Sequence, residues 1–140
     1  MTGFLLDTNV VSELRKGSRS DANVVEWFSL NKARDLWLSV VVVAELQRGV
    51  QLVERRDPRQ SLLLQGWLDE LVSAYDDRVL PISLDIALRW GSIGVPDPLP
   101  VLDGLIAATA LEHDLTVVTR NVADIGRSGV RVVDPFRDSR

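Results

Sequence analysis

Cysteine is absent, and histidine occurs once, at position 113. The first absence excludes disulfides, thiolate nucleophiles and cysteine-ligated zinc. It suits a cytoplasmic protein, the expected location. The second excludes ribonuclease chemistry built on a pair of histidines, and it excludes histidine-rich zinc sites. His113 itself lies in Ala110-Leu111-Glu112-His113-Asp114, near an expected helix end, where the helix dipole favours a cation. Lysine is confined to Lys16 and Lys32, so almost all the cations are arginines, the side chain suited to bidentate phosphate contact. No apolar run approaches the roughly 18 residues of a membrane span. Phe4-Leu5-Leu6 has no basic segment before it and is cut short by Asp7, so neither a secretory signal nor a membrane partner is expected. The net charge of -4 does not mark a nucleic-acid binder, so any such site must be local.

What is present is enough apolar material, 46% of 140 residues, to fill the core of a single domain spanning 1–140. Phe4-Leu5-Leu6 reads as a buried strand followed by a helix from Thr8 to Leu14. Asp21 can cap a helix carrying Val24, Val25, Trp27 and Phe28. Leu36 to Leu38 is a second strand, and Ser39 can cap a helix with Val43, Leu46, Val50 and Val53. A long helix carries Leu64, Trp67, Leu68, Leu71, Val72 and Tyr75. Val79 to Ile82 is extended, and Asp85 falls in the first turn of the next helix. Gly94 to Pro100 is a stiff loop with three prolines, a helix containing Asp103 follows, and 116–119 and 130–133 are the last strands. Strands alternating with helices predict a parallel α/β sheet covered on both faces.

Four acids stand out against this pattern. Asp7 ends the first apolar run, Glu45 interrupts Val40-Val41-Val42-Val43-Ala44, Asp103 sits in Val101-Leu102-Asp103-Gly104-Leu105-Ile106, and Asp124 follows the 116–119 strand by a turn. A carboxylate on an apolar element is costly unless it is paired, hydrogen-bonded or metal-bound. Ligands of open α/β sheets bind outside the carboxyl ends of the strands, and all four acids are expected at that edge. Two unit charges about 4 Å apart repel by roughly 4 kcal/mol at an effective dielectric of about 20. Converging carboxylates therefore invite a divalent cation, and hard oxygen ligands favour Mg²⁺ or Mn²⁺. Such an ion can activate water against a phosphodiester without a histidine base.

The segments Leu5-Leu6-Asp7-Thr8-Asn9-Val10, Val43-Ala44-Glu45-Leu46, Asp103-Gly104-Leu105-Ile106-Ala107-Ala108-Thr109-Ala110 and Val118-Thr119-Arg120-Asn121-Val122-Ala123-Asp124 resemble the PIN-domain family, and within it the VapC-type toxins of bacterial toxin–antitoxin pairs. The likeness extends to Asp134-Pro135-Phe136. It implies a three-layer α/β/α fold with a mainly parallel sheet and an Mg²⁺- or Mn²⁺-dependent endoribonuclease. Asp7, Glu45, Asp103 and Asp124 are then the catalytic, metal-binding acids, and Thr8, Asn9, Thr119 and Asn121 are polar residues that support them or position substrate. Some relatives carry an aspartate directly after the Thr-Arg pair. Here that place is Asn121, so either Asp124 or Asn121 completes the set. Arg15, Lys16, Arg48 and Arg120 adjoin the motifs and are candidates for RNA contact, Arg48 and Arg120 foremost. The resemblance also implies a homodimer and a cognate VapB-type antitoxin whose C-terminal segment covers the acids, often with an arginine. The helix around 62–75 and Trp90 are candidates for the dimer surface or for the core.

Other readings are narrower. A haloacid-dehalogenase-type phosphatase needs a second aspartate where Asn9 stands, and a response-regulator receiver needs a late lysine that this chain lacks. The alternative of the same fold is a FitB-type nucleic-acid-binding regulator with little or no nuclease activity.

Overall fold

Short apolar runs that do not alternate with polar residues build the sheet, as expected for strands buried on both faces. The computed structural model describes residues 3–137. Its strands are β1 (Gly3–Leu6), β2 (Leu36–Ser39), β3 (Val79–Leu80), β4 (Leu115–Val118) and β5 (Val132–Val133). All pair in parallel, in the order β3-β2-β1-β4-β5. The 130–133 run is trimmed at its start, because Ser128 and Gly129 (φ 86°) turn the chain and Val130 drops into the core.

The helices are α1 (Thr8–Leu14), α2 (Ala22–Leu30), α3 (Val40–Glu54), α4 (Pro58–Tyr75), α5 (Leu84–Ser92), α6 (Val101–Glu112) and α7 (Val122–Gly126). They cover the sheet in an α/β/α sandwich. Their starts follow from side-chain caps. Asp21 accepts from Asn23 N at 2.8 Å and Ser39 from Val41 N at 3.0 Å, both as the sequence predicts. α4 begins six residues before its apolar stripe, because Asp57 caps Gln60 N at 3.1 Å and Pro58 occupies the first turn. His113 is the C-cap of α6, at the end where the sequence places it. Among the described residues no helix is long and apolar enough to cross a membrane.

Strand order reverses between β1 and β4. From β1 the chain steps to β2 and then β3 on one side, and it returns to β4 and β5 on the other. The carboxyl ends of β1 and β4 therefore flank the switch point, where open α/β sheets bind ligands. The floor beneath is apolar and closed: Leu5, Leu6, Leu36, Leu38, Val117 and Val118 are buried, as are Ile106, Ala107 and Ala110 of α6.

α6 reaches this edge through a close contact with α5. A Cβ on Gly104 would lie 2.9 Å from Nε1 of Trp90, whose indole N–H donates to the Val101 carbonyl at 3.2 Å. Trp90 thus serves the packing of α5 on α6. Gly104→Ala is expected to cost about 1–3 kcal/mol by overpacking. Denaturant unfolding measures it; an unchanged midpoint would mean that Trp90 swings away freely.

Candidate active site

Asp7 is placed by the strand it terminates. Its backbone N–H continues the sheet, donating to the Val118 carbonyl at 2.9 Å, and its side chain caps α1 through Thr8 N at 2.8 Å. Its second oxygen accepts from the Thr119 hydroxyl at 2.7 Å and from the Asn9 amide at 3.2 Å. The residue is 4% exposed. Burial outweighs these three donors and pushes its carboxyl above the ordinary value.

Thr119, fully buried at the end of β4, is the junction of this network. Its hydroxyl donates to Asp7 and accepts from Asn121 N at 2.9 Å and from the Asn9 amide at 3.3 Å. Asn9 in turn accepts from Arg120 N at 3.1 Å, tying the loop after β4 to the first turn of α1. Thr119→Val keeps the shape and removes the hydroxyl. The expected cost is about 1–3 kcal/mol for the partners left unsatisfied. The Asp7 carboxyl should also rise further, since Thr119 is the strongest influence holding it down. Carbonyl-carbon NMR of Asp7 across pH reads the shift, and an unmoved titration would contradict the assignment.

Glu45 lies in the second turn of α3 and is half-buried, accepting from the Thr8 hydroxyl at 2.8 Å. Asp103 lies in the first turn of α6 and accepts from the Asn121 amide at 2.9 Å. Its carboxyl is raised, by burial first and then by the charges of Asp7, Asp124 and Glu45. That electrostatic reach brings the four predicted acids into one neighbourhood, although they are far apart in sequence. Asp124 belongs to the first turn of α7, half-buried, rather than to an open loop.

Among the described residues none of the four acids forms an ion pair. Nor is any group of three acidic or histidine side chains arranged as a ready-made metal site. Asp7, Glu45 and Asp103 turn instead to neutral donors: Thr119 and Asn9, Thr8, and Asn121 respectively. All four polar residues that the sequence placed beside the acids therefore contact an acid directly.

The candidate cations divide. Arg48 lines a groove of about 550 Å³ with Glu45, Val41, Leu52 and Leu102. Arg15 lines a second groove, of about 220 Å³, with Thr8, Glu45, Val53, Leu64 and Trp67. Lys16 is spent on Glu13 at 3.1 Å. Arg120 is exposed, with its guanidinium carbon 3.7 Å from the centre of the Phe136 ring. Local sequence could not single out Leu102 or Phe136. Each meets the site only through tertiary packing.

The PIN domain family model matches residues 4–123. Toxin FitB of Neisseria gonorrhoeae is 32% identical over 140 residues, covering 96% of this chain and 99% of the toxin. VapC ribonuclease Y4jK of Sinorhizobium fredii is 31% identical over 138 residues, covering 95% and 97%. A solved structure of FitAB bound to the IR36 DNA fragment contains a chain that superposes with a TM-score of 0.88 at 29% identity, covering 98% of each. The chain belongs to the PIN-domain family and is similar along nearly its whole length to toxins of the FitB and VapC kind.

Proposed function

We propose that this chain, one PIN domain over 1–140, is the toxin of a type II toxin–antitoxin system and a metal-dependent endoribonuclease. One observation carries the reading. Acids from four distant parts of the chain gather at the sheet's switch point, Asp103 feels the charge of the other three, and among the described residues no cation is paired with any of them. The donor set fits a divalent ion, because carboxylate oxygens are hard ligands and the site contains neither histidine nor cysteine. In this reading Asp7, Glu45, Asp103 and Asp124 hold Mg²⁺ or Mn²⁺. When bound, such an ion lowers the pKa of a water and offsets charge on a phosphodiester.

The chain's own residues do the rest. Asp7 is the anchor, because strand, helix cap and two side chains fix its carboxylate. Thr8 and Asn121 orient Glu45 and Asp103, and Asp124 completes the acid set. Arg120, after β4, and Arg48, on α3 beside Glu45, contact RNA.

The partner is a VapB-type antitoxin in a toxin–antitoxin hetero-oligomer, in keeping with the FitAB complex among the related structures. Glu45 lines both grooves together with apolar side chains, which suits a segment presenting apolar residues and an arginine. Leu84 and Leu88 of α5 and Val101 and Leu102 of α6 are exposed and support a homodimer surface there.

A second reading, a FitB-type nucleic-acid-binding regulator with little nuclease activity, is favoured by Asn121 and by the lack, among the described residues, of a ready-made ligand group. Mixed RNA and matched DNA, incubated with purified protein and Mg²⁺ or Mn²⁺, separate the two. Fragmented RNA beside intact DNA supports the ribonuclease. Intact RNA and DNA under all conditions overturns it.

A further inference from the structure

Arginines at a protein surface usually have mobile planes or spend their N–H groups on nearby oxygens. Arg78 stacks on Tyr75 but donates to the carbonyls of Ala33, Leu36 and Ala74. Arg89, Arg127, Arg131 and Arg137 are paired with Glu112, Asp97, Asp114 and Asp134. Arg120 differs. Its guanidinium carbon lies over the Phe136 ring, 3.7 Å from the ring centre, and among the described residues its guanidinium makes no hydrogen bond and no ion pair. Glu13 is near enough for its charge to feel Arg120, but its own oxygens are taken by Lys16 and the Asp21 N–H. A fixed face with uncommitted donor edges is what a phosphate clamp requires.

The ring is itself held. Thr119 N donates to the Val133 carbonyl at 2.9 Å, which brings the end of β5 beside the end of β4. Beyond β5 the chain turns through buried Pro135. Phe136 N donates to Asp134 at 3.0 Å, and the Phe136 carbonyl accepts from Asn23 of α2 at 2.9 Å. Arg120 is tied from its other side, its backbone N–H donating to Asn9, the residue that also donates to Asp7.

We propose that Phe136 is a positioning residue that seats Arg120 as a phosphate clamp for the RNA strand, at a fixed distance from Asp7. The proposal rests on the ribonuclease reading above. Without its seat, Arg120 must be immobilised at the moment of binding, which weakens affinity by about 2- to 12-fold for one long side chain.

The test uses the full chain and steady-state cleavage of a short single-stranded RNA, with ¹⁵N NMR of the Arg120 side chain alongside. Wild type should show an Arg120 Nε–H resonance displaced by the ring current. Phe136→Leu, which keeps an apolar side chain on the turn, should lose that displacement and raise KM about 2- to 12-fold with kcat within twofold. Phe136→Trp should restore both. Arg120→Ala should raise KM at least as far, flatten the salt dependence, and make a further Phe136→Leu change silent. Phe136→Leu with wild-type KM would overturn the proposal while leaving the ribonuclease reading intact. An undisplaced Arg120 resonance in wild type would overturn it as well. Wild type that cleaves no RNA would overturn both.

Discussion

Asp7→Asn should abolish RNA cleavage while leaving the fold as stable as wild type or more so. Losing a group that merely orients a metal ligand costs about 10- to 100-fold, so losing the anchoring ligand should cost more than about 100-fold in kcat/KM. Stability moves the other way for a reason visible in the geometry. The asparagine oxygen can still cap Thr8 N, the Thr119 hydroxyl can turn to accept from the new amide, and the buried charge is gone. The pH dependence carries the same sign. The Asp7 carboxyl is raised above 3.8 in the folded chain, so the native state holds that proton more tightly than the unfolded state. The stability this confers is present in acid and is lost as pH rises from about 3.8 through the raised folded value. Above that window the ionised, buried carboxylate is a standing penalty, which Asp7→Asn removes. The mutant's advantage should therefore be greatest near neutral pH and shrink in acid, as thermal melts across pH would read. A mutant that melts well below wild type at neutral pH would make Asp7 a structural residue.

Divalent cation should stabilise the fold strongly, and Asp103→Asn should remove most of that effect. Asp103 is where the charges of Asp7, Asp124 and Glu45 act together, so a bound cation relieves the most repulsion there. At a hundred times its dissociation constant a ligand adds about 2.7 kcal/mol of stability. For a chain of this size that is a rise in melting temperature of about 5–10 °C. Mn²⁺ added to wild type should produce it and EDTA should reverse it. Asp124→Asn and Asn121→Ala, measured beside it, apportion the fourth position. Loss of the metal effect in the first and its survival in the second assigns that place to Asp124. An equal Mn²⁺ shift in wild type and Asp103→Asn would put the ion elsewhere.

Much of the fold was legible because its grammar is local. β1, β2 and β4 are buried on both faces, so their apolar runs stand out without alternation, and Asp21 and Ser39 announce the starts of α2 and α3. What escaped depended on competing local signals. Asp57 and Pro58 start α4 ahead of its apolar stripe, and the turn at Gly129 shortens β5. The acids were legible as misplaced charges, and their arrangement at the sheet's carboxyl edge followed from the βα order. Their hydrogen bonds were not. Thr119 and Asp7 are 112 residues apart, Asn121 and Asp103 are 18 apart, and Arg120 meets Phe136 only because β5 lies beside β4. No spacing rule joins such pairs, since their proximity exists only once the sheet has formed. The Asp103-Gly104 pair illustrates both cases. The acid was readable from its context, whereas the glycine's reason, the indole of Trp90, lay on a neighbouring helix.

The four-acid cleft is proposed to be a metal-dependent ribonuclease centre. Its most direct test is the initial rate of RNA cleavage by EDTA-stripped protein titrated with Mn²⁺, for wild type and Asp7→Asn purified in parallel. The expected result is no cleavage without metal, saturable activation of wild type, and no activation of Asp7→Asn at any Mn²⁺ concentration. Equal cleavage by the two proteins, or cleavage that persists in EDTA, would contradict it.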